Sequence, residues 1–211
     1  MTEKYTQSKD YLLPLTLEGA MYMSMKTPSE DVVEHKGEVN RFLFDAGATF
    51  PGKGKRDDNN WSGTDWIYKW YEKRGIVFDQ VYGWEPSTAS LDKNELEPAM
   101  AKALHFFNVG ITDKPRDEHN PLARIRALCK PKDIVVFKLD IDNNMEMSVV
   151  KQLLSDSKLM SLVDEFYFEH HVRNNLMRMH GLGGNVQPDL QSWYDMALPA
   201  RRKGFHMHFW P

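Results

Sequence analysis

The residues best able to do chemistry stand where apolar runs stop. Arg41–Ala46 (R-F-L-F-D-A) passes into Asp45-Ala46-Gly47-Ala48, and Phe78–Trp84 stops at Glu85-Pro86. Asp133–Ile141 (D-I-V-V-F-K-L-D-I) ends in Asp140-Ile141-Asp142-Asn143, and Glu165–Val172 holds Glu169-His170-His171 near its end. Turning in water explains any one of these polar ends. Four of them, after apolar strand-like segments, point to a binding rim. The chemistry that fits is nucleoside binding. Gly47 lets the backbone pass close to a ligand where a Cβ would collide. A carboxylate such as Glu85, after the second strand, can accept from both ribose hydroxyls. Glu85 follows Asp45 by 40 residues, against about 20 in the dinucleotide motif, and the polar insertion Phe50–Gly63 accounts for the excess. His170 and His171 offer imidazoles that titrate near neutrality and so suit a general base. Alternation along a strand lets only one of them face a pocket, and histidine packing is the plain alternative for either.

Three other chemistries compete for these residues. Gly47–Lys53, continued to Gly54, matches G-x-x-x-x-G-K after a strand, as a phosphate-binding loop would. Gly54 stands where Ser or Thr must ligate magnesium, and no helix pattern starts there. Asp140, Asp142, Asn143, Glu169 and His170 are donors that a divalent metal could use. Solvated loop carboxylates explain them as well, so no metal ligands are expected. His206 and His208 share a strand face, but two histidines without a third ligand fit an exposed face better than a zinc site.

The elements that must carry these residues alternate in type. The expected strands are Arg41–Ala46, Phe78–Trp84, His105–Ile111, Asp133–Ile141, Glu165–Val172 and Phe205–Trp210. Helical spacing covers Thr64 or Asp65 to Arg74, Leu91–Leu104, Leu122–Leu128, a segment through Val149, Val150, Leu153 and Leu154, and one from Pro188 through Leu190, Trp193, Tyr194 and Ala197. Trp66, Ile67, Trp70 and Tyr71 mark the apolar face of the first helix. Alternation of this kind predicts an α/β fold: a Rossmann-like three-layer sandwich with a mostly parallel sheet of six or seven strands. Such sheets bind ligands beyond the carboxyl ends of their strands. One domain over residues 1–211 is expected, with residues 1–40 as an extension or lid, and 173–187 as a second candidate lid.

Composition bounds the rest. The chain has 211 residues with 41% hydrophobic and 27% charged, the balance of a globular protein. Its formal charge of −3 argues against a protein built to coat nucleic acid. No apolar run approaches the roughly 18 residues of a membrane span, and the start lacks a secretory pattern. Cys129 is the only cysteine, which fits a reducing, cytoplasmic setting.

The ordered set F-D-A-G-A (Phe44–Ala48) and Y-G-W-E-P (Tyr82–Pro86) resembles motifs I and II of class I S-adenosylmethionine-dependent methyltransferases. V-F-K-L-D-I-D-N (Val136–Asn143) and F-Y-F-E-H-H (Phe166–His171) resemble the FkbM-like branch of that family. The resemblance runs from Arg41 to His171. It implies S-adenosylmethionine as cofactor, with Asp45, Gly47 and Ala48 around its amino-acid portion and Glu85 on the ribose. It also implies Asp140 beside the methionine portion or the transferred methyl, as cofactor-binding and catalytic residue; the catalytic base, His170 or His171, is chosen because imidazole titrates near neutrality. The acceptor it implies is a small-molecule or glycan hydroxyl, with neither nucleic acid nor membrane as partner. The chain departs from the pattern at Asp142 and Asn143, which replace glutamate and glycine. Glu146 stands one position later than the family's following glutamate, and a single strand stands where such folds usually end in a hairpin. Two alternatives stay open: a nucleotide-binding protein using Gly47–Lys53, and a scaffold that keeps the fold without turnover.

Overall fold

The computed structural model describes residues 39–50, 63–87, 91, 93–143, 145–170 and 190–210. The expected N-terminal extension, most of the Phe50–Gly63 insertion, the 173–187 lid and His171 lie outside the described residues.

The fold is an α/β Rossmann-like sandwich. Its elements run β1 (Arg41–Ala46), α1 (Thr64–Glu72), β2 (Gln80–Trp84), α2 (Pro98–Ala103), β3 (Leu104–Phe107), α3 (Pro121–Leu128), β4 (Ile134–Leu139), α4 (Met145–Ser155), α5 (Ser157–Met160), β5 (Glu165–Phe168), α6 (Leu190–Arg202) and β6 (His206–Phe209). The strands form one parallel sheet in the order β3-β2-β1-β4-β5-β6. Strand order reverses between β1 and β4, the switch point beside which open α/β sheets bind ligands. The lone last strand expected from the sequence is β6, which runs parallel to β5.

By contact density the chain divides after Asp164 into two compact units. In the first, β1 pairs with β2 on one side and β4 on the other, Asp45 standing opposite Gly83 and Lys138. Phe42, Leu43, Phe44, Val135, Val136 and Phe137 are buried, as expected of strands covered on both faces. In α1, Ile67, Tyr68 and Tyr71 are buried, whereas Trp66 and Trp70 are half-buried and stack on each other at 5.1 Å. The Arg74 guanidinium caps that stack 3.9 Å from the Trp70 ring. The helix expected over Leu91–Leu104 is instead a 3-10 turn (Lys93–Glu95) followed by α2. Pro98 is the reason: it lacks an N–H and fits the first helical turn, so the chain restarts there. In the second unit β6 lies in register with β5, Glu165 opposite His206 and Tyr167 opposite His208.

Candidate functional site

Lys138 sits inside the buried run of β4, where a charge is tolerated only with partners. It has them. Its Nζ lies 3.1 Å from Asp45 Oδ1 and 3.1 Å from Asp140 Oδ2, and donates to the Gly47 carbonyl at 3.2 Å. Lys138 and Asp45 are wholly buried, while Asp140 keeps 19% of its side chain exposed. Burial works against the ammonium, but the two carboxylates outweigh it and hold the Lys138 pKa above its ordinary value. Burial pushes Asp45 up, against the pull of Lys138 and the Thr64 hydroxyl. One lysine thus joins the loop after β1 to the end of β4, on either side of the switch point.

Gly47 is required here, for a reason other than the one expected. Its φ is +87°, and a Cβ would stand 1.5 Å from the Asp140 carbonyl oxygen. The backbone that approaches it is the protein's own. The N–H groups of Gly47 and Ala48 both donate to the Trp84 carbonyl, at 2.9 and 3.0 Å. Ala48 is buried, its Cβ under Gly83. These two residues shape the loop and offer no free N–H to a phosphate. Among the described residues the next helix after them starts at Thr64, and the rest of the Gly47–Lys53 match lies outside the described residues.

Glu85 follows β2 and is half-buried. Its Oε1 accepts from the Ser87 N–H at 2.7 Å and from the Ser87 hydroxyl. Its backbone is pinned by N–H donation to the Phe107 carbonyl and by Asn108 Nδ2, which donates to its carbonyl at 2.8 Å. Both side-chain bonds to described residues run through one oxygen.

Beyond Asp140 the chain turns on Asp142, whose φ of +55° is one that aspartate tolerates better than most residues. Glu146, in the first turn of α4, reaches back to this turn. Its Oε1 accepts from the N–H of Ile141 at 2.7 Å and of Asp142 at 3.2 Å. Burial and the neighbouring Asp140 and Asp142 push its pKa up to about 8, against the pull of the two N–H groups.

His170 belongs to the second unit. It is buried, with its ring 5.5 Å from Phe168 and 6.1 Å from Trp193, and Nε2 lies 2.8 Å from the Ser192 hydroxyl. His206 and His208 are largely buried against Glu165, not on an exposed face.

The structure therefore brings together Asp45, Gly47 and Asp140, with Ala48 behind them and Glu85 one strand away. Sequence reasoning gave no role to Lys138 or Glu146. A lysine amid V-V-F-K-L was the available signal, since a charge there implies a buried partner.

No protein-family model, no curated protein and no solved structure matches the chain.

Proposed function

We propose that this chain is an S-adenosylmethionine-dependent methyltransferase acting on a hydroxyl of a small molecule or glycan. The observation that carries the reading is the buried Lys138 link. It fixes the glycine loop after β1 against Asp140 at the switch point, where a parallel sheet takes a nucleoside-bearing ligand. Glu85 supports it as a carboxylate after the neighbouring strand, with Oε2 as the oxygen for ribose. Asp140, part-exposed and anchored by Lys138, presents a fixed negative charge suited to a cationic cofactor. Asp45, Gly47 and Ala48 shape the loop.

The cofactor supplies an activated methyl on a sulfonium. The chain's part is to hold donor and acceptor in line, exclude water and receive the hydroxyl proton. His170 and His171 are the proposed acceptors of that proton. For His170, accepting it at Nε2 means exchanging the Ser192 hydroxyl for that of the acceptor.

Calorimetric titration with S-adenosylhomocysteine, and in parallel with ATP and magnesium, tests the proposal. S-adenosylhomocysteine alone is expected to bind, and Glu85→Ala to weaken it by about 1–3 kcal/mol, the worth of hydrogen bonds to a charged group. Binding of ATP alone, or of neither ligand, would overturn it, the second result in favour of a scaffold.

A further inference from the structure

The second unit holds a titratable cluster that the proposed reaction does not use. Glu165, first residue of β5, receives two imidazoles from β6. His206 Nδ1 lies 3.1 Å from its Oε1, and His208 Nε2 bonds its Oε2. The side chains are 16%, 10% and 17% exposed for His206, His208 and Glu165. The register explains the convergence: Glu165 pairs with His206, and His206 and His208, two apart, share the face that Glu165 occupies. The carboxylate spans the two rings, so each neutral imidazole can donate one N–H and leave Glu165 ionised. Among the described residues one carboxylate faces both rings, and it cannot neutralise two positive charges.

The surroundings sharpen this. Arg201 of α6 donates Nε to the Met207 carbonyl at 2.6 Å, which puts a permanent cation beside the middle of β6. Tyr167 of β5 lies with its ring 5.0 Å from His208, and Trp210 closes on Tyr167 edge-on at 5.8 Å. Among the described residues, the charged and titratable groups facing the cluster are thus Glu165 and Tyr167 from β5, the two histidines from β6 and Arg201 from α6.

We infer that Glu165, His206 and His208 form a proton-sensitive clasp between β5 and β6, closed when the imidazoles are neutral and loosened when both are protonated. The electrostatics agree in sign. Burial, with Arg201 and His206, holds the His208 pKa below 6.5 despite Glu165. Burial opposes the charge of Glu165, but the two imidazoles outweigh it and lower its pKa from 4.5. A histidine whose folded pKa is depressed binds its proton more readily in the open state. Clasp stability is therefore full above the unfolded histidine pKa and falls as pH drops below it.

The test is amide hydrogen exchange on the full chain between pH 7.5 and 5.5, read as protection factors so that the intrinsic pH dependence cancels. Protection of His208 and Trp210, whose N–H groups face β5 (Trp210 donates to the Phe168 carbonyl at 3.0 Å), is expected to fall at least tenfold toward pH 5.5, while Leu43, Phe44 and Val136 hold theirs. The double variant His206→Asn, His208→Gln keeps an N–H donor near each bonded nitrogen and cannot titrate. It is expected to protect β6 at both pH values. A pH-independent β6 in the wild type, or an unchanged acid step in the double variant, would overturn the clasp. If the double variant does not fold, the wild-type His208 ring is titrated by NMR: a pKa below 6.5 supports the clasp, and one at or above it overturns it. Zinc is added as a separate arm. Stoichiometric binding that raises β6 protection at pH 7.5 would replace the clasp with a metal centre.

Discussion

Lys138 and Glu146 are both buried charge-bearing groups, and the structure treats them oppositely. Lys138 has two carboxylates and a carbonyl around it. Removing it takes the shared cation from Asp45 and Asp140, so Lys138→Met is expected to cost about 3–5 kcal/mol in urea denaturation, the price of breaking a buried pair from one side. A loss below about 1 kcal/mol would mean that the carboxylates find other partners. For Glu146, burial and the negative neighbours Asp140 and Asp142 outweigh the N–H groups of Ile141 and Asp142, so its pKa is pushed up to about 8 from the ordinary 4.5. The sign follows: between those values the unfolded chain has released a proton that the folded chain keeps. Its contribution is full below pH 4.5 and is lost as pH rises through about 8. Glu146→Gln keeps an acceptor for Ile141 and Asp142 and removes the titration. The variant's stability relative to wild type should therefore rise with pH between about 5 and 8, by at most about 1.4 kcal/mol per unit. Parallel wild-type and variant curves would show that Glu146 is already ionised when folded. Neither role was legible in advance, because a one-dimensional pattern shows that a charge is buried before it shows which strand supplies its partner.

At the scale of elements, the apolar runs located all six strands but overran their ends. Phe78 and Ile111 were assigned to strands, whereas β2 begins at Gln80 and β3 ends at Phe107. Apolar residues flanking a strand are buried by the same core without joining the ladder, so hydrophobicity alone does not mark where pairing stops. Caps mark ends better. Asn120 precedes Pro121 and accepts from the N–H of Leu122 at 2.9 Å and of Ala123 at 3.4 Å. It is also buried, and its Nδ2 donates to the Lys114 carbonyl. Asn120→Ala should cost about 1–2 kcal/mol by thermal unfolding, the upper range for a cap. A change under about 0.3 kcal/mol would show that α3 is held by packing through Leu122 and Ile125 alone.

Over the whole molecule, strand order was the feature least open to sequence reading. That β1 lies between β2 and β4 follows from crossovers whose destination is set by packing, while the parallel sense follows from alternation alone. The candidate site was legible to the same degree. Asp45, Gly47 and Asp140 were chosen separately and meet, whereas the reason for Gly47 proved to be the Asp140 carbonyl. Among the described residues no helix is long and apolar enough to cross a membrane. Cys129 is buried and its pKa is pushed up to about 12, so the single thiol stays protonated and a poor nucleophile. The two units also answer pH in opposite directions, Glu146 losing its contribution toward alkali and the His208 cluster toward acid.

The Lys138–Asp45 link spans 93 residues of sequence. Until β1 and β4 meet, the ammonium remains in water, so an early collapsed chain has no reason to bury it. A one-residue slip between these strands would turn Lys138 to the other face, away from Asp45. Parallel strands so far apart in sequence pair slowly, and slow pairing gives misaligned sheets time to form. The buried ammonium makes such a sheet costly until the register is right, so the charge acts as a proofreader of folding before it serves any site.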